Sequence, residues 1–224
     1  MADIITLDDS HLRPAVGVMA HGIGEIPLYR WLLGEYVDDQ DKREWLAEIL
    51  LRPLLRVGCA LGAQEDGRLV GVLAWQPHDI DLAPDGLPPL TPDDVQVAVE
   101  TPGLRERLLE LWTSPPLPPP ADDAVNCMFV ALLPQARGGR TVLDLMRPIE
   151  TFCRTRARPF YAWTGSPALR DWFLAGWNTS QFATTEWHQI TMYGVVSDRP
   201  PVAKVVPVER DVRASGPGVR STAR

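Results

Sequence analysis

The sequence has few cysteines, few histidines and no long apolar run. Its three cysteines are odd in number and far apart, which argues against a disulfide framework and against a CxxC metal site. No apolar run reaches the roughly 18 residues needed to cross a bilayer, and Met1-Ala2-Asp3 lacks the basic region and apolar core of a signal peptide. We therefore expect a cytoplasmic protein with no membrane partner and no metal.

Basic charge is also scarce. The chain of 224 residues has 22 Lys and Arg against 29 Asp and Glu, a formal net charge of -7. Because binding to nucleic acid requires a concentrated basic surface, this balance excludes nucleic acid as an expected partner and favours a small-molecule substrate. Hydrophobic residues make up 45% and charged residues 23%, as in an ordinary globular domain. The sequence leaves a monomer and a homodimer equally open.

The hydrophobic pattern predicts an α/β (α+β) domain over residues 1–196. Strands are predicted at 4–7, 59–63, 68–75, 125–133, 160–164, 181–183 and 189–196, and the turn Glu65-Asp66-Gly67 predicts that the second and third form a hairpin. Helices are predicted to begin near Ser10, Pro27, Asp41, Pro102, Thr141 and Pro167, with Ser10 as an N-cap and Pro53 bending or splitting the third helix. The proline-rich segment 78–123 is expected to form a helical insertion over one face of the sheet, and 197–224 a mobile tail.

Two adjacent glycines, Gly138 and Gly139, follow the apolar run 125–133 and precede a predicted helix. Glycine allows the backbone to approach a phosphate closely, and the free N–H groups at the start of a helix attract anions. The same pair could instead serve only as a tight turn between strand and helix. The residues alone leave both interpretations open.

Three segments carry a family resemblance. Residues 26–33 (IPLYRWLL) are similar to a segment DPLFRWLL, 129–134 (FVALLP) to a central strand ending in GVxP, and 165–177 to a run ending in YxxxGF. These segments resemble the GNAT (Gcn5-related N-acetyltransferase) superfamily, especially its actinobacterial puromycin-acetyltransferase-like branch. The resemblance spans about residues 3–196. It implies a GNAT fold, with a mixed central sheet of about six or seven strands flanked by helices, and transfer of an acyl group from acyl-CoA to an amine of a small molecule.

In the family, the loop after the central strand reads [QR]-x-x-G-x-[GA] and binds the pyrophosphate of the cofactor. An ungapped alignment on Pro134 and on 145–148 (LMRP) puts Arg137 at the [QR] position, while Arg140 and Val142 replace small residues. A β-branched side chain at a position of close approach is a steric objection, although an arginine could also bind a phosphate through its fork. The cofactor-binding residues implied by the resemblance are Leu132, Arg137, Gly138, Gly139, Arg140, Thr141 and Val142.

The resemblance also indicates candidate catalytic residues. The family's tyrosine acid, aligned on Gly176-Trp177, falls on Trp172, whose indole cannot protonate a leaving thiolate. Glu25 is a candidate base or a carboxylate that stabilises a helix dipole, and Asn126 is a polar candidate on the central strand. Further candidates, each with a structural alternative, are His21, Cys127 and His188, which is predicted to alternate with Gln189 and Ile190 on a late strand.

Three functions are compatible with these residues. The first is acyl transfer from acyl-CoA. The second is a GNAT-fold enzyme repurposed for cyclisation, lyase or decarboxylation chemistry in a specialised biosynthetic pathway, without acyl-CoA. The third is a non-catalytic ligand-binding or regulatory module, since a fold does not by itself establish a reaction.

Overall fold

One mixed sheet organises the molecule. The computed structural model describes residues 2–84, 86, 88–138 and 140–204. Its strands lie in the order β1-β2-β3-β4-β5-β7-β6, antiparallel throughout except for the parallel pair β4 and β5, which confirms the predicted mixed sheet. The strands are β1 (Asp3–Thr6), β2 (Ala60–Glu65), β3 (Arg68–Pro77), β4 (Val125–Leu132), β5 (Phe160–Thr164), β6 (Thr179–Trp187) and β7 (Ile190–Ser197).

Helices flank this sheet. In the described part of the chain they are α1 (Leu12–Ile23), α2 (Pro27–Leu33), α3 (Gln40–Arg56), α4 (Pro92–Glu100), α5 (Leu104–Thr113), α6 (Thr141–Thr155) and α7 (Pro167–Gly176). No helix of the described residues is both long and apolar enough to span a membrane.

The helices divide between the two faces of the sheet. Neighbouring residues of a strand point to opposite faces, so the contacts of Ala131 and Leu132 in β4 identify the two sides. A Cβ at Gly22 of α1 would meet Ala131, whereas Leu132 packs beside Gly71, where a Cβ would also meet Leu145 of α6. Helix α1 therefore covers one face and α6 the other. Helix α2 lies on the side of α1, and α7 on the side of α6.

The Pro-rich segment 78–123 contains α4 and α5. Asp94, in the first turn of α4, accepts a hydrogen bond from Arg52 of α3 at 2.6 Å. Arg107 of α5 donates from its Nε to the carbonyl of Leu32 in α2, also at 2.6 Å. These contacts attach the segment to the face covered by α1 and α2. The sequence interpretation contained α5 but missed α4, although Thr91 before Pro92 is a standard helix start.

Three local expectations are wrong. Ser10 lies inside a short 3-10 helix (Asp9–His11) whose cap is Asp8, which accepts hydrogen bonds from the N–H and hydroxyl of Ser10; α1 begins only after His11, so Ser10 is not its N-cap. Pro53 lies near the end of an unbroken α3 and does not split it. His188 lies not on a strand but in the turn between β6 and β7, where His188 and Gln189 both have positive φ.

The segment 197–224 was expected to form a mobile tail, but the backbone of its first residues is hydrogen-bonded to the end of α7. Asn178 donates to the carbonyl of Val202 at 2.9 Å, and Lys204 donates to that of Gly176 at 2.8 Å. These bonds place 198–204 against the end of α7. The rest of the predicted tail, 205–224, lies outside the described residues.

Candidate active site

The strands β4 and β5 are paired at only one end. Their Cα pairs are Val125 with Phe160 and Asn126 with Tyr161, and the remainder of both strands has no ladder between them. The register between β3 and β4 also shifts, because Ala74 faces Phe129 while Trp75 faces Cys127. One residue of β4, Met128, is therefore extra and forms a bulge. A bulge bends its strand and leaves the extra residue unpaired in the ladder.

A cavity of about 180 Å³ occupies the opening between the two strands; we call it the strand-gap cavity. Residues 126–130 of β4 and 162–165 at the end of β5 form its middle. Helices α2 and α5 supply walls from one face of the sheet, and α6 and α7 supply walls from the other. The cavity therefore connects the two faces of the sheet through the gap.

Few polar groups line this cavity, among them Asn126, Tyr29 and Thr164. The Oδ1 atom of Asn126 is shielded from solvent and accepts no hydrogen bond from any residue that the structure describes. Tyr29 is buried, and burial raises the pKa of its phenol well above the usual range, so the hydroxyl stays protonated at neutral pH. Thr164 accepts a hydrogen bond from the backbone N–H of Ser166 at 3.0 Å.

Tyr29 and Thr164 are residues that sequence reasoning missed. Tyr29 lies inside the segment IPLYRWLL, which carries part of the family resemblance, but a tyrosine in an apolar run is equally typical of a core residue. Phe129 packs against it with ring centroids 5.6 Å apart. Its place at the cavity depends on the opening of β4 and β5, which no local pattern reveals.

The loop between β4 and α6 combines a left-handed turn with an uncapped helix start. Gly138 has φ +77, and a Cβ there would meet nothing within 4 Å, so glycine is favoured for its backbone angle rather than for space. Helix α6 follows Arg140, and no side chain caps it. Its first N–H groups are free of a side-chain partner, which favours an anion. The other predicted glycine, Gly139, lies outside the described residues.

The structure pairs two residues predicted for different roles, Glu25 and Arg137. Arg137 donates from Nη2 to Oε1 and Oε2 of Glu25 at 3.0 and 2.8 Å, and from Nε to the carbonyl of Leu132 at 3.0 Å. The pair ties the loop to the end of α1. Glu25 is half exposed, is committed to this ion pair and does not line the strand-gap cavity, so the structure does not place it as a base there.

The two residues that replace small ones have different surroundings. Arg140 is 61% exposed, with its guanidinium 3.7 Å from Asp144. Val142 lines the strand-gap cavity from the first turn of α6. Thr141 between them is buried. Arg140 is therefore free to turn toward a bound anion, whereas Val142 narrows the cavity itself.

Trp172 also lines the cavity. Its ring packs edge-on against Phe173 and Trp177, and Trp177 in turn donates from its indole N–H to the buried Glu150 of α6. This cluster fixes α7 against α6. Trp172 serves there as an apolar wall.

The remaining candidates, Cys127, His21 and His188, have surroundings that favour structural roles. Cys127 lines the cavity, but burial raises its pKa well above the usual range, which keeps it as an unreactive thiol. His21 lies 3.6 Å from Glu25. His188 stacks on Trp31 and lies 2.5 Å from a carboxylate oxygen of Glu110. Neither histidine lines the strand-gap cavity.

Comparisons with known proteins bear on the fold alone. No family model matches the sequence, and no curated protein is significantly similar to it. A structure described as histone acetyltransferase HPA2 and related acetyltransferase from Corynebacterium glutamicum is 13% identical, with a TM-score of 0.64 over 92% of this chain and 99% of that one. A polyamine N-acetyltransferase from Drosophila melanogaster is 14% identical, with a TM-score of 0.56 over 88% and 100%.

A third similar structure is the C-terminal condensation domain of Ebony in complex with beta-alanyl-dopamine. It is 9% identical, with a TM-score of 0.55 over 88% of this chain and 98% of that one. These likenesses and the mixed seven-stranded sheet agree with the fold expected from the sequence. The chain has the GNAT fold of the acetyltransferases.

Proposed function

We propose that this protein transfers an acyl group from acyl-CoA to an amine of a small molecule. The observation that carries the proposal is the strand-gap cavity. It opens a path between the uncapped start of α6 on one face of the sheet and the walls of α2 and α5 on the other. A thioester reaching in from α6 and an amine entering beside α2 would meet between the strands, where both are held close together.

In such a transfer the amine nitrogen attacks the thioester carbonyl carbon. The C–N bond forms, the C–S bond breaks, and the proton lost by nitrogen ends on the departing sulfur. Tyr29, buried and protonated, is the residue we propose to relay this proton: it donates its own proton to the thiolate and takes up the one that nitrogen loses. Backbone groups freed by the bulge at Met128 are suited to stabilise the oxyanion that forms on the carbonyl oxygen.

The donor's pyrophosphate would lie at the start of α6. Free N–H groups and the helix dipole favour an anion there. Arg137 holds the loop, and Arg140 is exposed enough to contribute a guanidinium to a phosphate. The pantetheine arm would pass the side chain of Val142, which narrows the cavity at this entrance. A slender arm fits there better than a bulky group would.

Titration calorimetry with two donors tests this proposal. Acetyl-CoA carries the pyrophosphate, whereas acetyl-pantetheine carries only the arm and the thioester. Arg140→Glu places a negative charge at the start of α6 and should weaken acetyl-CoA binding about tenfold or more while leaving acetyl-pantetheine binding unchanged.

Arg147→Glu is the matched control. Arg147 is as exposed as Arg140 and lies 3.4 Å from the same carboxylate, Asp144, but sits almost two turns further along α6. We expect it to change neither affinity by more than about twofold. If wild-type protein gives no heat with millimolar acetyl-CoA, acyl-CoA is not the donor, and repurposed chemistry or a binding module would become the better account of this fold.

A further inference from the structure

We call the part of the strand-gap cavity beside α2 and α5 its acceptor side, because the amine would enter there. The residues that line it favour some kinds of amine over others. Aromatic side chains from several elements border it, including Tyr29, Trp112, Phe129 and Trp163. Trp112 is 49% exposed, so it lies where the cavity meets solvent, while Phe129 is buried at the inner end. Flat aromatic walls of this kind favour a flat aromatic ligand, which they contact by stacking and edge-to-face packing.

The volume of the cavity indicates the size of that ligand. An apolar cavity of about 150 Å³ in a protein core holds one benzene ring. At about 180 Å³, a volume that the thioester would share, the strand-gap cavity has room for no more than a single ring with small substituents.

Its polar groups indicate the charge of the ligand. No carboxylate belongs to the described residues that line the cavity, and the polar side chains that do, Asn126, Tyr29 and Thr164, are neutral. An ammonium group placed among these apolar walls would lose its hydration without gaining an opposite charge, which is strongly unfavourable. An arylamine is uncharged at neutral pH because its lone pair is delocalised into the ring, so it enters without this cost.

Asn126 supplies the contact that would hold the amine. Its Oδ1 atom is shielded from solvent and accepts no hydrogen bond, which is costly for a buried acceptor. Rotation of the amide about its terminal bond presents this oxygen to the cavity, where an N–H of a ligand would satisfy it. Asn126 lies at the last paired position between β4 and β5, directly where the gap begins.

Resting on the proposed function, we infer that the acceptor is an uncharged, single-ring aromatic amine, held by its N–H on Asn126 with its ring between the aromatic walls of α2, α5 and β4. An arylamine needs no base to deprotonate it before attack. Its nitrogen forms the amide bond as the C–S bond breaks, and its departing proton passes to the thiolate. This explains why the cavity works without the carboxylate that sequence reasoning looked for in Glu25.

Two isomeric probes, p-toluidine and benzylamine, test the inference by calorimetry at neutral pH with no acyl donor present. They have the same formula, but only benzylamine is an ammonium ion under these conditions. We expect p-toluidine to bind about tenfold or more tightly than benzylamine. Equal or tighter binding of benzylamine, or no binding of p-toluidine, would overturn the inference.

A charge variant extends the test. Asn126→Asp puts a carboxylate where the gap begins and should shift the preference at least about tenfold toward benzylamine. Asn178→Asp makes the same change at an exposed position outside the cavity and should leave the preference as in wild type. If Asn126→Asp and Asn178→Asp give the same preference, Asn126 does not hold the amine.

This experiment is independent of the donor. Failure of acetyl-CoA to bind would remove acyl transfer while leaving the measured preference for p-toluidine intact. Binding of acetyl-CoA together with a preference for benzylamine would keep acyl transfer and remove the arylamine.

Discussion

At the residue scale, Tyr29 has the most direct consequence for catalysis. Tyr29→Phe removes one hydroxyl from the wall of the strand-gap cavity while keeping the ring that packs on Phe129. If the phenol protonates the leaving thiolate, kcat should fall about a hundredfold, with little change in KM and Tm. Steady-state kinetics with thermal denaturation of the same samples measures all three.

Tyr161→Phe is the control for that loss. Tyr161 is also buried and its pKa is also raised by burial, but it does not line the cavity. A hundredfold loss in this variant as well would mean that removal of any buried tyrosine hydroxyl, rather than loss of a proton delivered at the site, explains the effect.

The sequence indicated some cavity residues and missed others for a physical reason. Val142 and Trp172 were singled out by alignment and Asn126 as a polar residue of the central strand, and all three line the strand-gap cavity. Glu25 was singled out by its position before α2, but a carboxylate within reach of Arg137 is drawn into an ion pair. That contact joins residues more than a hundred positions apart, and no local pattern predicts it.

At the scale of elements, the packing of α1 on β4 depends on one glycine. A Cβ at Gly22 would come within 2.7 Å of the Cβ of Ala131, so the helix or strand must shift to admit it. Gly22→Ala should lower the free energy of unfolding by about 1–3 kcal/mol, measured by chemical denaturation. Since Ala131 lies on the strand that forms the cavity, ligand affinity should fall as well.

Gly17→Ala is the control for Gly22→Ala, because Gly17 lies on the same helix but has no neighbouring atoms close to the position of the added Cβ. A Cβ there would meet nothing within 4 Å, so the better helix propensity of alanine should raise stability by up to about 1 kcal/mol. Destabilisation by both variants to the same degree would show that the contact of Gly22 with β4 is not the cause of the loss.

Element prediction succeeded where signals are local. The hairpin of β2 and β3 was predicted from the turn Glu65-Asp66-Gly67, and the structure has positive φ at both Asp66 and Gly67. The turn between β6 and β7 uses His188 and Gln189 at positive φ instead, without the glycine that usually marks such a turn. For that reason the sequence assigned His188 to a strand.

At the scale of the whole molecule, the sheet is held shut at one end of the gap and open at the other. Just beyond the paired end, Arg158 donates to both carboxylate oxygens of Asp79 at 2.5 and 2.6 Å, and Arg199 donates to Asp123 in the same manner. The Arg158 guanidinium lowers the pKa of Asp79 from 3.8 to about 2. The opening of β4 from β5 depends on such distant contacts, which is why the sequence alone predicted the sheet but not the cavity.

The Asp79 pair predicts a pH dependence. Because the folded pKa is depressed, the pair stabilises the protein above the ordinary pKa of 3.8 and this contribution is lost as pH falls to about 2. Asp79 is largely exposed, so Asp79→Asn should cost about 1 kcal/mol or less at neutral pH. Unfolding curves of wild type and variant should converge as pH approaches 2, and a difference that persists there would contradict the ion pair as its cause.

The most direct test of the whole account is a crystal structure of the protein with CoA. We expect the pyrophosphate at the start of α6, the pantetheine arm passing Val142, and the thiol in the gap between β4 and β5 near Asn126. CoA bound elsewhere, or a strand-gap cavity that stays empty at saturating CoA, would contradict it.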